Sequence, residues 1–81
     1  MTLNDKRLMI MENEIEKLIS EYRQRIKQIE FQLEHTEHTI TQARRKNEDY
    51  SKYRLEQAKL NARLVLCQQA KSDFESLLDY V

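Results

Sequence analysis

The chain contains no glycine, no proline and no tryptophan among its 81 residues. Without glycine and proline, it lacks the residues that most often end helices or form tight turns, and without glycine it cannot build the glycine-rich loops that cradle phosphate groups. What remains is dominated by glutamate, lysine, arginine, glutamine, leucine and isoleucine, and 35% of the residues are charged. This composition is typical of long α-helices and predicts one all-α domain, or part of one.

Cysteine and long apolar runs are also scarce. Cys67 is the only cysteine, so no internal disulfide can form and nothing indicates an oxidising compartment. The longest apolar run, Leu8–Met11, is far shorter than the ~20 residues that a membrane-spanning helix needs. Residues 1–13 carry charges on both sides of this run and do not resemble a signal peptide. We therefore expect a cytoplasmic protein without a membrane span.

An apolar stripe at helical spacing runs along the C-terminal part of the chain. Its members follow one another in alternating steps of three and four residues, which is the seam of a helix packed along another helix. The stripe consists of Tyr50, Tyr53, Gln57, Leu60, Leu64, Cys67, Lys71, Phe74, Leu78 and Val81. Further apolar residues beside it make the face wider than one neighbouring helix needs. We therefore predict a partner-binding surface here, formed by Leu60, Leu64, Val65 and Leu66.

A similar stripe fills the N-terminal part. Thr2 and Asp5 stand at capping-box spacing, which predicts that helix 1 begins near Leu3. The stripe keeps its regular spacing up to Tyr22, takes one extra four-residue step to Ile26 and then resumes, an insertion that locally unwinds a left-handed supercoil. Its members are Leu8, Met11, Ile15, Leu18, Tyr22, Ile26, Ile29, Leu33, Thr36, Ile40 and Ala43.

The segment 44–51 separates the two stripes. Three cations followed by two carboxylates suit the dipoles of a helix that ends and a helix that begins. Asn47 is best suited to a left-handed helix end, and Asn47, Asp49 or Ser51 could cap the next helix. We predict an antiparallel, coiled-coil-like two-helix hairpin, with helix 1 at about 3–46, the turn at about 46–50 and helix 2 at about 50–80. The alternative is one unbroken helix, ~120 Å long, which no glycine or proline forbids.

The two predicted helices differ in length. With the turn centred near Glu48, Val81 lies opposite Ile15, so residues 1–14 project beyond helix 2 as an overhang. Each large apolar side chain left in water forgoes ~1.5–3 kcal/mol. We predict that the overhang binds a partner or a second copy through Leu8, Met9, Ile10 and Met11. The alternative is that helix 1 begins later and its first turns are frayed.

No constellation of residues indicates catalysis. His35 and His38 are the only histidines, and two ligands without a nearby cysteine do not make a zinc site. Cys67 falls on the helix 2 stripe, where a small apolar filler is expected rather than a reactive thiol. No paired-carboxylate or Ser/His/Asp motif appears, and a two-helix hairpin offers little concave space for a substrate. We therefore expect a non-enzyme without metal or cofactor.

The formal net charge is zero, but residues 41–63 carry seven basic and three acidic side chains. Cations interleaved with Tyr50 and Tyr53 could meet phosphates while the rings stack on bases, which makes a small RNA-binding hairpin an alternative function. Both tyrosines, however, lie on the predicted stripe, and Glu48 and Asp49 reduce the local positive charge. Nucleic acid is therefore not the expected partner.

The start of helix 2 also carries a family resemblance. A tyrosine stands directly after the turn, an aromatic residue follows three positions on, and leucines continue in helical phase. The residues concerned are Tyr50, Tyr53, Glu56, Leu60, Leu64, Val65 and Leu66. This pattern resembles that of the small helical-hairpin co-chaperones of bacterial type III secretion that accompany the needle subunit. The resemblance implies a short, non-catalytic hairpin that pairs with a larger helical-repeat chaperone. Together, the two would keep an aggregation-prone needle protein soluble in the cytoplasm.

These observations together predict an interaction protein. A lone pair of helices buries little apolar area and usually needs a further subunit, its own or a foreign one, so an oligomer or complex is expected. The most specific expectation is a cytoplasmic secretion co-chaperone or adaptor that binds a helical partner. A structural coiled-coil oligomer without a client and the RNA-binding hairpin are the alternatives.

Overall fold

The computed structural model describes residues 2–80; Met1, at the tip of the overhang, and Val81, at the end of the predicted stripe, lie outside them. Two helices make up most of the described chain, α1 at Leu3–Arg45 and α2 at Ser51–Leu78. They pack along a rod of 67 × 14 × 14 Å, far shorter than one unbroken helix would be. The predicted all-α antiparallel hairpin with a long first helix is confirmed. Neither described helix has the length and apolar character to cross a bilayer.

The end of α1 shows how a chain without glycine turns. Asn47 adopts the left-handed conformation, with φ 57°. The N–H of Glu48 donates to the carbonyl of Ala43 at 2.9 Å, and the N–H of Asn47 donates to the carbonyl of Arg44 at 3.2 Å. These bonds satisfy carbonyls that a helix end otherwise leaves free. Asparagine is the residue after glycine that tolerates this conformation best, so it stops the helix where the sequence predicts.

The start of α2 is organised by Asp49. Its Oδ1 accepts a hydrogen bond from the backbone N–H of Ser51 at 3.0 Å and another from the Ser51 hydroxyl at 2.7 Å. Because both bonds favour the charged carboxylate, they hold the pKa of Asp49 below its ordinary value, the backbone bond contributing most. Of the three predicted capping residues, Asp49 is the one whose side chain binds the first backbone N–H of the helix.

The core is a single layer of side chains between the two helices. Leu60 of α2, only 2% exposed, clusters with Ile29 and Leu33 of α1, and Leu64 and Cys67 pack partly buried against the same cluster. The other buried residues of α1 are Ile19, Ile26, Thr36, Ile40 and Ala43. Burying a large apolar side chain of this kind stabilises the fold by about 1.5–3 kcal/mol, so these contacts hold the hairpin closed.

Ile19 is the one buried residue in the described chain that the predicted stripes omit. Its neighbour Leu18, which the stripe includes, is only half-buried. From Leu18 to Tyr22 and on to Ile26 the chain takes two successive four-residue steps, and each rotates the contact line by about 40° around the helix axis. This rotation brings Ile19 toward α2, so the contact face is wider here than regular spacing predicts.

Among the polar residues on the contact faces, Thr36 and Lys71 are accommodated differently. Buried Thr36 donates its hydroxyl to the carbonyl of Gln32 at 2.9 Å, which satisfies it within its own helix. Half-buried Lys71 keeps its Nζ 3.6 Å from the carboxylate of Glu75, one turn further on. A long aliphatic stem allows lysine to cover apolar surface while its charge stays near water. Within residues 2–80, no buried side-chain nitrogen or oxygen lacks a hydrogen-bond partner.

Candidate protein-binding surface

The register of the two helices determines the residue at which α2 stops packing against α1. The ring centroids of Tyr22 and Phe74 lie 5.7 Å apart across the helix pair. Counting residue for residue along the antiparallel helices from this pair, Leu78 at the end of α2 lies level with Leu18. Ile19 is the first buried residue of α1, and Ile15 is half-buried. The described part of the overhang, residues 2–14, therefore has no helix of its own chain alongside it.

The overhang presents apolar side chains on more than one side. Leu8 and Met11 continue the line that leads to half-buried Ile15, yet Leu8 is 43% exposed and Met11 48%. Met9 and Ile10 are exposed as well, and at 100° per residue they point to other sides of the helix. A partner can therefore bind in line with α2 or around the flank of α1.

A capping box holds the first turn of the overhang. Thr2 Oγ1 accepts a hydrogen bond from the backbone N–H of Asp5 at 3.2 Å, and Asp5 Oδ2 accepts one from the backbone N–H of Thr2 at 3.1 Å. The Thr2 hydroxyl also donates to Asp5 Oδ2 at 2.8 Å. These bonds hold the pKa of Asp5 below its ordinary value, the side-chain bond contributing most. The helix accordingly begins at Leu3, and the apolar residues of the overhang lie on a formed helix.

The predicted surface in α2 divides into two opposite faces. Leu60 and Leu64 point to α1 and belong to the core cluster, so Leu60 offers no surface to a partner while the hairpin is closed. Val65 and Leu66 point away from α1 and are strongly exposed. The division follows from helix geometry, since Leu66 lies about 200° around the axis from Leu64. Of the four residues predicted from the sequence, only Val65 and Leu66 are fully available on the surface.

Leu55 belongs to the same exposed side of α2, although the sequence prediction omitted it. It is 59% exposed and lies three helical turns before Leu66. The signal is the spacing of seven and then four residues that joins Leu55, Ala62 and Leu66 into a second stripe. We call these three residues the outer face of α2. The apolar residues of α2 thus occupy two sides, one closed against α1 and one open.

The histidines lie on the solvent side of α1. Phe31 lines a shallow surface depression together with Glu34, His35 and His38. The Nε2 atom of His38 lies 3.1 Å from the Nε2 atom of Gln42 on the same helix. Within residues 2–80, no three histidine, cysteine, aspartate or glutamate side chains come together as a metal site would require. The depression is open and offers a ligand little burial.

The basic region surrounds the turn, and one of its two tyrosines, Tyr50, is engaged inside the hairpin. Tyr53 is 39% exposed, so the expectation that both tyrosines face α1 is wrong for Tyr53. The guanidinium carbons of Arg44 and Arg54 lie 5.8 and 5.6 Å from the centroid of the Tyr50 ring. Both distances are within the range of a cation–π contact. Tyr50 is half-buried, so its ring is less free to stack on a nucleic-acid base than the sequence alternative requires.

Comparison of the chain with protein-family models, with curated proteins and with solved structures gave no match. Function is therefore inferred from the exposed side chains and charges of the chain itself.

Proposed function

We propose that this chain is a non-catalytic protein-interaction module whose overhang binds a helical segment of a foreign protein. One observation carries the proposal: a capped helix presents Leu8 and Met11 in line with the packed stripe, beyond the end of α2. Residues that are spaced for helix packing and left uncovered indicate a helix-binding surface. The partner helix would continue the line of α2 along α1.

The composition of the overhang suits such a partner. Leu8 and Ile10 supply branched anchors, while Met9 and Met11 are unbranched and adapt to surfaces of different shape. Covering each of these side chains would contribute about 1.5–3 kcal/mol before the costs of association. Four such residues in succession therefore form a short apolar site for a partner helix, and binding there needs no catalytic group.

The cellular role that best fits is that of a cytoplasmic secretion co-chaperone or adaptor. Three features support it: the short helical hairpin, the exposed apolar overhang, and the pattern from Tyr50 to Leu66 that resembles needle-subunit co-chaperones. In this role the partner is a larger helical chaperone, and the complex keeps an aggregation-prone secreted subunit soluble. A structural oligomer without a client is the competing function, and a test must separate the two.

The double substitution Leu8→Lys with Ile10→Lys tests the overhang directly. Leucine, isoleucine and lysine are all adequate helix formers, so circular dichroism should show nearly unchanged helix content. Proteins that co-purify with the wild-type chain from the cells that make it should be lost, since charge replaces two apolar anchors. A matched control, Gln28→Lys with Phe31→Lys, adds the same number of lysines on the exposed side of α1 and should retain them.

The decisive measurement is reconstitution with the co-purified protein. The wild-type chain should form a defined complex with it in sedimentation and should keep that protein or its cargo in solution, whereas the double variant should do neither. Equal binding by the double variant would show that the overhang is not the binding site. A chain that assembles only with itself and protects no client would favour the structural oligomer.

A further inference from the structure

Besides Phe31, Leu77 and Tyr80, the exposed apolar residues of the described chain include two groups that one chain cannot bring together. One is the overhang, and the other is the outer face of α2. Because Tyr22 stands opposite Phe74, Leu66 lies level with about Glu30 of α1. At 1.5 Å per residue, this places it about 30 Å along the rod from Ile10. A straight two-helix rod cannot fold back to close that distance.

The same two places carry opposite charge. Between Asp5 and Glu16, α1 has four carboxylates and two cations. Between Lys52 and Arg63, α2 has four cations and one carboxylate. In the described chain the one ion pair joins Lys71 to Glu75, so the hairpin itself pairs none of these groups. An acidic apolar surface and a basic apolar surface are thus both left open.

The chain also exposes more surface than its mass predicts. Its accessible area is 6702 Å², whereas a compact protein of 9.9 kDa exposes about 5200 Å². The excess is larger than the ~800 Å² that each partner buries in a standard protein interface. A second copy can therefore be accommodated with area to spare.

We propose that two copies of the free chain pair side by side and antiparallel, so that the overhang of each lies on the outer face of α2 of the other. A twofold axis makes the two contacts identical, which is the commonest symmetry of homodimers. With the rods fully overlapped, α1 of one copy runs parallel to α2 of the other, and residues 8–16 lie level with roughly 56–64. Leu8 and Met11, which share one side of α1, then meet the stripe that runs from Leu55 to Leu66, while acidic residues meet basic ones.

The positions of the charged residues along the two rods support this alignment. Glu12 and Glu14 of one copy come within about one turn of Lys59 and Arg63 of the other. All four side chains are exposed or half-buried in the single chain, so they are free to meet a partner. This pairing concerns the free chain alone and holds whether or not the foreign partner proposed above exists; a foreign helix would compete for the overhang.

Charge reversal gives a test with an internal rescue. The acidic-side variant combines Glu12→Lys with Glu14→Lys, and the basic-side variant combines Lys59→Glu with Arg63→Glu. Each alone places like charges at both contacts of the dimer and should weaken self-association by about tenfold or more in sedimentation equilibrium at low salt. Mixed together, the two variants place opposite charges at both contacts, so the mixture should recover to within about threefold of the wild type.

A matched control reverses two exposed glutamates in the middle of the rod, Glu21→Lys with Glu30→Lys, and should associate like the wild type. Circular dichroism of every variant establishes that the helices are formed. A wild-type chain that remains monomeric, or a basic-side variant that associates like the wild type, would overturn the antiparallel pairing. So would a mixture that associates no better than its components.

Discussion

The two ends of α1 have the same apolar residue pattern but differ in burial. Near the turn, Ile40 and Ala43 are buried, whereas Leu8 and Met11 in the overhang are about half exposed although they stand on the same stripe. The difference is the length of the neighbouring helix, since α1 has 43 residues and α2 has 28. Spacing therefore predicts which side of a helix is apolar, and the reach of the opposite helix decides whether that side is covered.

In α2, the two sides of one helix differ in the same way. Leu60 and Leu64 close against α1, while Leu55 and Leu66 face outward. Burying each of these outward leucines against another chain would contribute about 1.5–3 kcal/mol. The open side of α2 and the open end of α1 are thus the two surfaces that another chain can stabilise.

Truncation of one leucine on each side of α2 should show the largest contrast. Leu60→Ala should lower the free energy of unfolding by about 2–5 kcal/mol, because it opens a cavity beside Ile29 and Leu33. Leu66→Ala should change it by less than about 0.5 kcal/mol at dilutions where the chain is monomeric. Urea unfolding followed by circular dichroism measures both.

The concentration dependence adds a second readout. Leu60→Ala should destabilise the chain at every concentration, whereas Leu66→Ala should do so only where copies associate. Equal losses for the two variants in the monomer would mean that the core does not lie on the side of α2 assigned here.

The sequence predicts the turn well because single residues govern it. Asn47 tolerates the left-handed conformation and Asp49 binds the N–H of Ser51, so local chemistry is enough to place both helix ends. Ile19 could not be placed from spacing alone, since its burial depends on how two successive four-residue steps rotate the contact face. The separation of Leu60 from Leu66 was readable from helix geometry, because the predicted stripe contains Leu60 and omits Leu66; predicting one wide surface ignored the angle of about 200° between Leu64 and Leu66.

A smaller effect should come from the bonds between Asp49 and Ser51 at the start of α2, which lies in the covered part of the rod. The pKa of Asp49 is lower in the folded chain than in the unfolded chain, so the unfolded state takes up this proton more readily. The carboxylate therefore stabilises the fold above the unfolded pKa of about 3.9, and this contribution is lost as the pH falls through the lower folded value. Asp49→Asn should lose stability at neutral pH and lose less than the wild type on acidification.

Urea midpoints measured from pH 7 downward should approach each other for Asp49→Asn and the wild type as the pH falls, because protonation progressively removes the charge of the wild-type carboxylate. Curves that stay parallel over the whole pH range would show that the charge of Asp49 contributes nothing to stability.

The smallest effect on global stability should come from the equivalent change in the overhang, Asp5→Asn. The pKa of Asp5 is lowered in the same direction as that of Asp49, by its hydrogen bonds with Thr2. The first turn nevertheless lies beyond α2, so it can open without exposing the core, and local opening sets its stability. Asp5→Asn should leave the urea midpoint unchanged and speed hydrogen exchange at the amides of the first two turns at neutral pH, with the difference vanishing in acid.

Addition of a chain that covers the overhang should slow that exchange in both proteins, because opening would then also break the new contacts. If Asp5→Asn instead lowers the urea midpoint as much as Asp49→Asn does, the first turn unfolds together with the core and the overhang is not the independent, uncovered segment inferred here.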